Sequence, residues 1–168
     1  MSRITLSTAG LIPELERLAR ESLLPNLAIS LTGATEAKRD DLMPINRTYS
    51  TRELISVLRR FPVKPRQRIT LEYVLLGGVT DDSKDARALA RIAKSIPAKV
   101  NLIPLNESAD LDFKRPSEDS ILRFQRILRE QDVDAFVRKS RGADISAACG
   151  QLKRNETAKE IDLAALRL

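Results

Sequence analysis

Cys149 is the chain's single cysteine. It lies in Arg138-Lys139-Ser140-Arg141-Gly142-Ala143-Asp144-Ile145-Ser146-Ala147-Ala148-Cys149-Gly150-Gln151-Leu152. The thiolate is the reactive form of a cysteine, and cations close by favour it. Arg138, Lys139 and Arg141 are such cations. The commoner role of a lone intracellular cysteine is that of a small buried apolar group, so the residue types alone leave both readings open. The same Arg138, Lys139 and Arg141, with Lys153 and Arg154, form a strip suited to phosphate: arginine binds it bidentately and lysine adds point charge. A second group of polar residues comprises Ser7, Ser30, Thr32 and Asn106. Hydroxyls and an amide can hydrogen-bond the carboxylate, amine or ribose of a small ligand, although turn backbone is their more frequent partner.

Other chemistries are excluded. The chain has no histidine, so it lacks the commonest general base and metal ligand. One cysteine permits no intrachain disulfide, and an iron-sulfur cluster takes three or four thiolates. No phosphate-cradling Gly-rich loop and no His-Glu-x-x-His pattern occurs. Asp81-Asp82 and Glu118-Asp119 suit helix starts better than a carboxylate pair. With two tyrosines, four phenylalanines and no tryptophan, extensive base stacking on aromatics is not expected. The net charge of +6 nevertheless suits a polyanionic partner, and equally a solvated basic surface.

The elements that must position these residues alternate. Strands are expected at Arg3 to Thr8, Asn26 to Leu31, Arg68 to Leu76, Lys99 to Pro104 and Asp134 to Arg138. Helices are expected at Pro13 to Arg20, Thr35 to Met43, Ser50 to Arg60, Ser83 to Ser95 and Ser117 to Glu130. Pro13 suits a first helical turn, and Ser50 with Glu53 has capping-box spacing. A further short helix is expected around Cys149. At 168 residues one domain is natural, with 42% hydrophobic and 31% charged residues for a soluble core and surface. No apolar run approaches a membrane span, and no secretory signal opens the chain, so a cytoplasmic location is expected.

Alternating strands and helices imply a parallel sheet, either an open doubly wound one or part of a barrel. In both, ligands gather at the carboxyl ends of strands. That rule selects Ser7, Thr8, Ser30, Thr32, Gly77, Asn106 and the loop after Arg138. The first strand has nothing before it to cover its free edge, which points to another chain or to missing earlier strands.

Six stretches, in order, resemble the RNA adenine carbon-2 methyltransferases of the radical S-adenosylmethionine superfamily. They are Ile4-Thr5-Leu6-Ser7-Thr8-Ala9-Gly10, Leu27-Ala28-Ile29-Ser30-Leu31, Arg39-Asp40-Asp41-Leu42-Met43-Pro44-Ile45-Asn46, Ile69-Thr70-Leu71-Glu72-Tyr73-Val74, Lys99-Val100-Asn101-Leu102-Ile103-Pro104-Leu105-Asn106, and Val137 to Leu152 with Cys149. The last block is the most specific.

The resemblance implies an α/β fold: a partial (βα) barrel of parallel strands over 1–138, a radical S-adenosylmethionine core lacking its first strands. A C-terminal basic loop and short helix would follow over 139–168. It implies cofactor contacts at Ser7, Ser30, Leu31, Thr32 and Asn106, with a backbone contact at Thr32, where relatives often carry His or Asn. It implies that Cys149 receives a methyl group from one S-adenosylmethionine, and that a radical from a second abstracts hydrogen from it. The resulting carbon radical would add to carbon 2 of an adenine in 23S rRNA or tRNA, with Arg138, Lys139 and Arg141 on the RNA. Carbon 2 is not nucleophilic, so polar transfer from a sulfonium would fail and a cofactor-borne radical makes sense. The target base must also leave its stack.

Departures from the family pattern are equally definite. The Cys-x-x-x-Cys-x-x-Cys segment for the 4Fe-4S cluster is absent, as are the Gly-Glu pair, the second catalytic cysteine and the N-terminal RNA-binding region. The chain is therefore expected to be inactive alone, to act with rRNA and tRNA but no membrane, and to leave open an N-terminal half on another chain. The alternatives are a non-catalytic basic α/β RNA-binding module and an inactive truncated gene product.

Overall fold

The structure is a computed structural model, and it describes residues 4–106 and 112–138. Its elements are β1 (Thr5–Thr8), α1 (Ile12–Leu18), β2 (Asn26–Ser30), α2 (Glu36–Leu42), a 3-10 turn (Pro44–Arg47), α3 (Thr51–Arg60), β3 (Ile69–Leu75), α4 (Ser83–Lys94), β4 (Ala98–Pro104), α5 (Glu118–Glu130) and β5 (Ala135–Val137). All neighbouring strands pair parallel, in the order β1-β2-β3-β4-β5. Strand order that follows chain order decides between the two windings left open by the sequence. With right-handed crossovers, each new unit adds on the same side, so the helices collect on one face. A doubly wound sheet would instead reverse direction from a central strand. The winding is that of a partial α/β barrel.

Burial along β3 shows the two faces. Ile69, Leu71, Tyr73 and Leu75 are fully buried against the helix layer, while Thr70, Glu72 and Val74 between them are only half-buried. Side chains alternate across a strand, so the second set shares the opposite, concave face. The core joins that buried set to Leu15 of α1, Leu54 and Leu58 of α3, Ala86 and Leu89 of α4, and Ile121, Phe124 and Leu128 of α5. Tyr73 stacks on Phe124 at 5.5 Å between ring centroids, and its hydroxyl donates to the Thr80 carbonyl at 3.1 Å. That bond satisfies the one polar atom of an otherwise apolar payload.

Local chemistry sets the helix ends. Ser50 Oγ accepts from Glu53 N–H, and the Glu53 carboxylate takes the Ser50 N–H in return, completing the expected capping box. Asp82 and Ser117 cap α4 and α5 in the same manner as single caps. Pro13 lies in the first turn of α1. Proline 44 stops α2 as expected, but the chain then makes a 3-10 turn that the sequence pattern does not signal. Lys38 of α2 donates to Asp85 of α4 at 2.6 Å, tying the two helices.

Gly33, after β2, has φ +86°, and a Cβ there would come within 2.7 Å of the Arg39 backbone nitrogen. Only glycine lets β2 turn so tightly into α2. None of the described helices is long and apolar enough to cross a membrane.

Candidate functional site

Register places the polar residues of the concave face in two rows. One row runs Ser7, Ala28, Thr70 and Lys99 across β1 to β4. The next runs Ser30, Glu72, Asn101 and Phe136 across β2 to β5. Ser7 Oγ donates to Glu72 Oε2 at 3.2 Å, reaching from β1 to β3 across the intervening strand. The bridge is possible because β2 presents only small side chains there, Ala28 and Ser30. A wide aliphatic residue at either position would fill the space. Polar side chains on this face, and apolar ones on the helix side, make it the candidate ligand face of the sheet.

The expected cofactor residues are brought together unevenly. Ser7 and Ser30 both lie on the concave face, in adjacent rows. Leu31 does not present its side chain there: it is fully buried in the core, and its N–H donates to the Glu72 carbonyl at 2.8 Å. What Leu31 can offer a ligand is its carbonyl. Thr32 is half-buried beside Gly33 at the strand end. Asn106 is half-buried two residues beyond the end of β4, on the same carboxyl side of the sheet. The backbone nearby is anchored where Leu105 N–H donates to the Leu75 carbonyl at 3.1 Å. Arg138 follows β5, is exposed, and donates its N–H to the Leu102 carbonyl. Lys139, Arg141 and Cys149 lie outside the described residues.

Sequence reasoning missed the residue that locks the strand ends. Arg39 is wholly buried. Its guanidinium donates to the Ala9 carbonyl at 2.9 Å, the Ser30 carbonyl at 3.1 Å, Asn46 Oδ1 at 3.1 Å and Met43 Sδ at 3.1 Å. One side chain thus ties the loop after β1 to the last residue of β2. Burial pushes the Arg39 guanidinium below its ordinary pKa, with the Glu36 charge opposing the shift. Glu36 in turn accepts from Asn46 Nδ2 at 2.9 Å and from the Thr51 and Arg52 N–H groups at 3.2 Å each. Burial alone would raise the Glu36 pKa, but these donors outweigh it and hold the carboxyl below the ordinary value. The signal available in sequence was the spacing Glu36, Arg39, Asn46, but nothing there distinguished a buried arginine from a solvated one.

Two clefts flank the sheet away from the concave face. One, of about 210 Å³, lies between β1 and α1 and includes Leu6, Thr8, Leu15 and Leu18. The other, of about 470 Å³, is on α5 around Leu122, Gln125 and Arg129. Both are at the outer ends of the row of (βα) units; the first includes Thr8, one of the strand-end residues selected from the sequence, and the second includes none of them.

The donor set fits the two expected cofactors differently. Hydroxyls, a carboxylate and amides on an open concave face suit an organic ligand with an amine, a ribose and a base. A 4Fe-4S cluster does not fit this chain, because one cysteine cannot supply its ligands. Among the described residues there is no group of three or more potential metal-ligating side chains.

No family model matches the sequence. Curated relatives do. The Dual-specificity RNA methyltransferase RlmN of Geobacter sulfurreducens is 55% identical over 151 residues, which are 90% of this chain and 42% of that protein. The protein of the same description from Anaeromyxobacter dehalogenans is 52% identical over 149 residues, 89% of this chain and 40% of its own length. Among solved structures, a radical SAM methyltransferase from Sphaerobacter thermophilus superposes with a TM-score of 0.84 at 48% identity, over 89% of this chain and 44% of that one. A domain of a pyruvate-formate lyase-activating enzyme from Bacteroides vulgatus shares the fold alone, with a TM-score of 0.62 at 18% identity. This chain spans less than half the length of the curated relatives it matches. With about half its residues identical along nine-tenths of its length, this chain is similar to a portion of the RlmN dual-specificity RNA methyltransferases and of a radical SAM methyltransferase of known structure.

Proposed function

We propose that this chain is the C-terminal portion of a methyltransferase that modifies carbon 2 of an adenine in 23S rRNA and tRNA, with Cys149 as the methyl carrier. The observation that carries the reading is the 55% identity to a dual-specificity RNA methyltransferase along nine-tenths of the chain. The concave face supports it, since Ser7 and Ser30 converge there while the helix side is closed by core. S-adenosylmethionine, when bound, supplies the methyl group that Cys149 takes. Ser7, Ser30 and Asn106 hold the ligand by hydrogen bonds, and the Leu31 carbonyl and Thr32 backbone line its edge. Arg138, Lys139 and Arg141 contact RNA phosphates, positioning the backbone without reading sequence. The protein works in the cytoplasm, with an N-terminal half that supplies the electron source.

The test is co-expression with the N-terminal part of a relative, followed by mass spectrometry of the Cys149 peptide and nucleoside analysis of rRNA and tRNA. A methylated Cys149 and 2-methyladenosine, both lost in Cys149→Ala, are expected. An unmodified Cys149 alongside methylated RNA would overturn the proposed carrier. The chain alone is expected to form no 4Fe-4S centre. A stable cluster absorption after incubation with iron and sulfide would contradict that.

A further inference from the structure

We propose that Glu72 is a ligand-binding residue that takes the positively charged part of the ligand on the concave face, an assignment that rests on the cofactor-site reading above. Glu72 stands at the centre of β3, the middle strand of five, half-buried on the open face opposite the helices. Its partner in the structure is neutral: the Ser7 hydroxyl, at 3.2 Å. Among the described residues no lysine or arginine makes an ion pair with it. The nearest row neighbours are Ser30 and Asn101, also uncharged. A half-buried carboxylate is thus held in place, with no ion-pair partner among the described residues, on the face that carries Ser7 and Ser30.

The hydrogen-bond direction sharpens the chemistry. Ser7 spends its one hydroxyl hydrogen on Glu72, so towards a ligand it can only accept. An ionised carboxylate likewise only accepts. The pair therefore presents an acceptor-only, negative patch, which repels phosphate and carboxylate and suits a donor-rich cation. In a sulfonium amino acid the complementary groups are the α-ammonium and the sulfonium centre. Ribose hydroxyls can donate to a carboxylate as well, so a probe that keeps the ribose but lacks both cationic groups is needed to separate the two contacts.

Isothermal titration of the chain with three probes tests this. They are S-adenosylmethionine, S-adenosylhomocysteine, which keeps the ammonium but not the sulfonium, and 5′-methylthioadenosine, which has neither. Glu72→Gln keeps the shape and an acceptor oxygen but removes the charge. It should weaken S-adenosylmethionine binding by about tenfold or more, as for one charge-assisted contact, and leave methylthioadenosine within about twofold. If S-adenosylhomocysteine binding falls equally, the ammonium is the group held; if it falls less, the sulfonium shares the role. Equal losses for all three probes, or none, overturn the assignment while leaving the cofactor site in place. Failure of the unmutated chain to bind any probe removes the cofactor-site reading and this assignment with it. Should Glu72→Gln not fold, Glu72→Asp keeps the charge and shortens its reach, and must still cost S-adenosylmethionine more than methylthioadenosine.

Discussion

Removing the Arg39 guanidinium while keeping its bulk should unfasten the strand ends that carry Ser7 and Ser30. Arg39→Met leaves the aliphatic volume in place and deletes the donors to the Ala9 carbonyl, the Ser30 carbonyl and Asn46. Asn46 Oδ1 keeps a second donor, Thr51 Oγ1 at 3.1 Å, so the loss falls mainly on the two carbonyls. Each charge-assisted bond is worth roughly 1.5–3 kcal/mol, and the substitution regains part of the cost of burying the charge. A net loss of about 3 kcal/mol follows, a large share of the roughly 5–15 kcal/mol that holds a domain together. With a urea slope near 2 kcal/mol per molar, the unfolding midpoint should fall by about 1.5 M. Circular dichroism during urea titration reads this directly. Arg39→Lys should lie between the two, because an ammonium cannot reproduce a fork that reaches two carbonyls on different segments. A midpoint for Arg39→Met within about 0.3 M of the unmutated chain would refute the clamp, since the lost bonds would then carry almost no net energy.

Three further outcomes are expected. Gly33→Ala should destabilise by more than about 1 kcal/mol in the same titration, because alanine must adopt φ +86° with its Cβ 2.7 Å from the Arg39 nitrogen. The Glu36 carboxyl sits below its ordinary value of 4.5, so stability it provides above that pH is lost as pH falls and the native group protonates; Glu36→Gln should flatten the acid limb of a stability profile. Burial, with the charge of Asp85 adding to it, pushes the Tyr73 phenol well above 10.0, so the unfolded chain releases this proton first as pH rises. Stability should therefore fall with pH above about 10, and Tyr73→Phe should remove that dependence, as read by thermal melts across alkaline buffers.

The elements were largely legible in the sequence, for identifiable reasons. Capping residues Ser50, Asp82 and Ser117 announced their helices, since a side-chain oxygen on a free N–H is a local interaction. Strand limits agreed to within a residue or two at β2, β3, β4 and β5. The expected helix Pro13 to Arg20 is Ile12–Leu18 instead: the chain leaves the helix at Ala19, with Arg20 and Glu21 closing tighter turns onto the Arg17 and Leu18 carbonyls. The candidate site was legible only in part. Ser7 and Ser30 were singled out because strand ends collect ligands in parallel sheets. Glu72 and Asn101 were within recognised stretches, yet nothing in one dimension said which face they would share.

Alternation of strands and helices, the caps, the charge balance, the solitary Cys149 and the relation to RNA methyltransferases are properties of the linear sequence, because each depends on residue identity or on neighbours a few positions away. Tertiary structure alone decided that the winding is sequential, that Leu31 turns into the core, that Arg39 is a buried clamp and that Ser7 reaches Glu72 over the small side chains of β2. Those outcomes depend on strand register and packing between residues as many as 65 positions apart, and such distances are set only when the sheet closes.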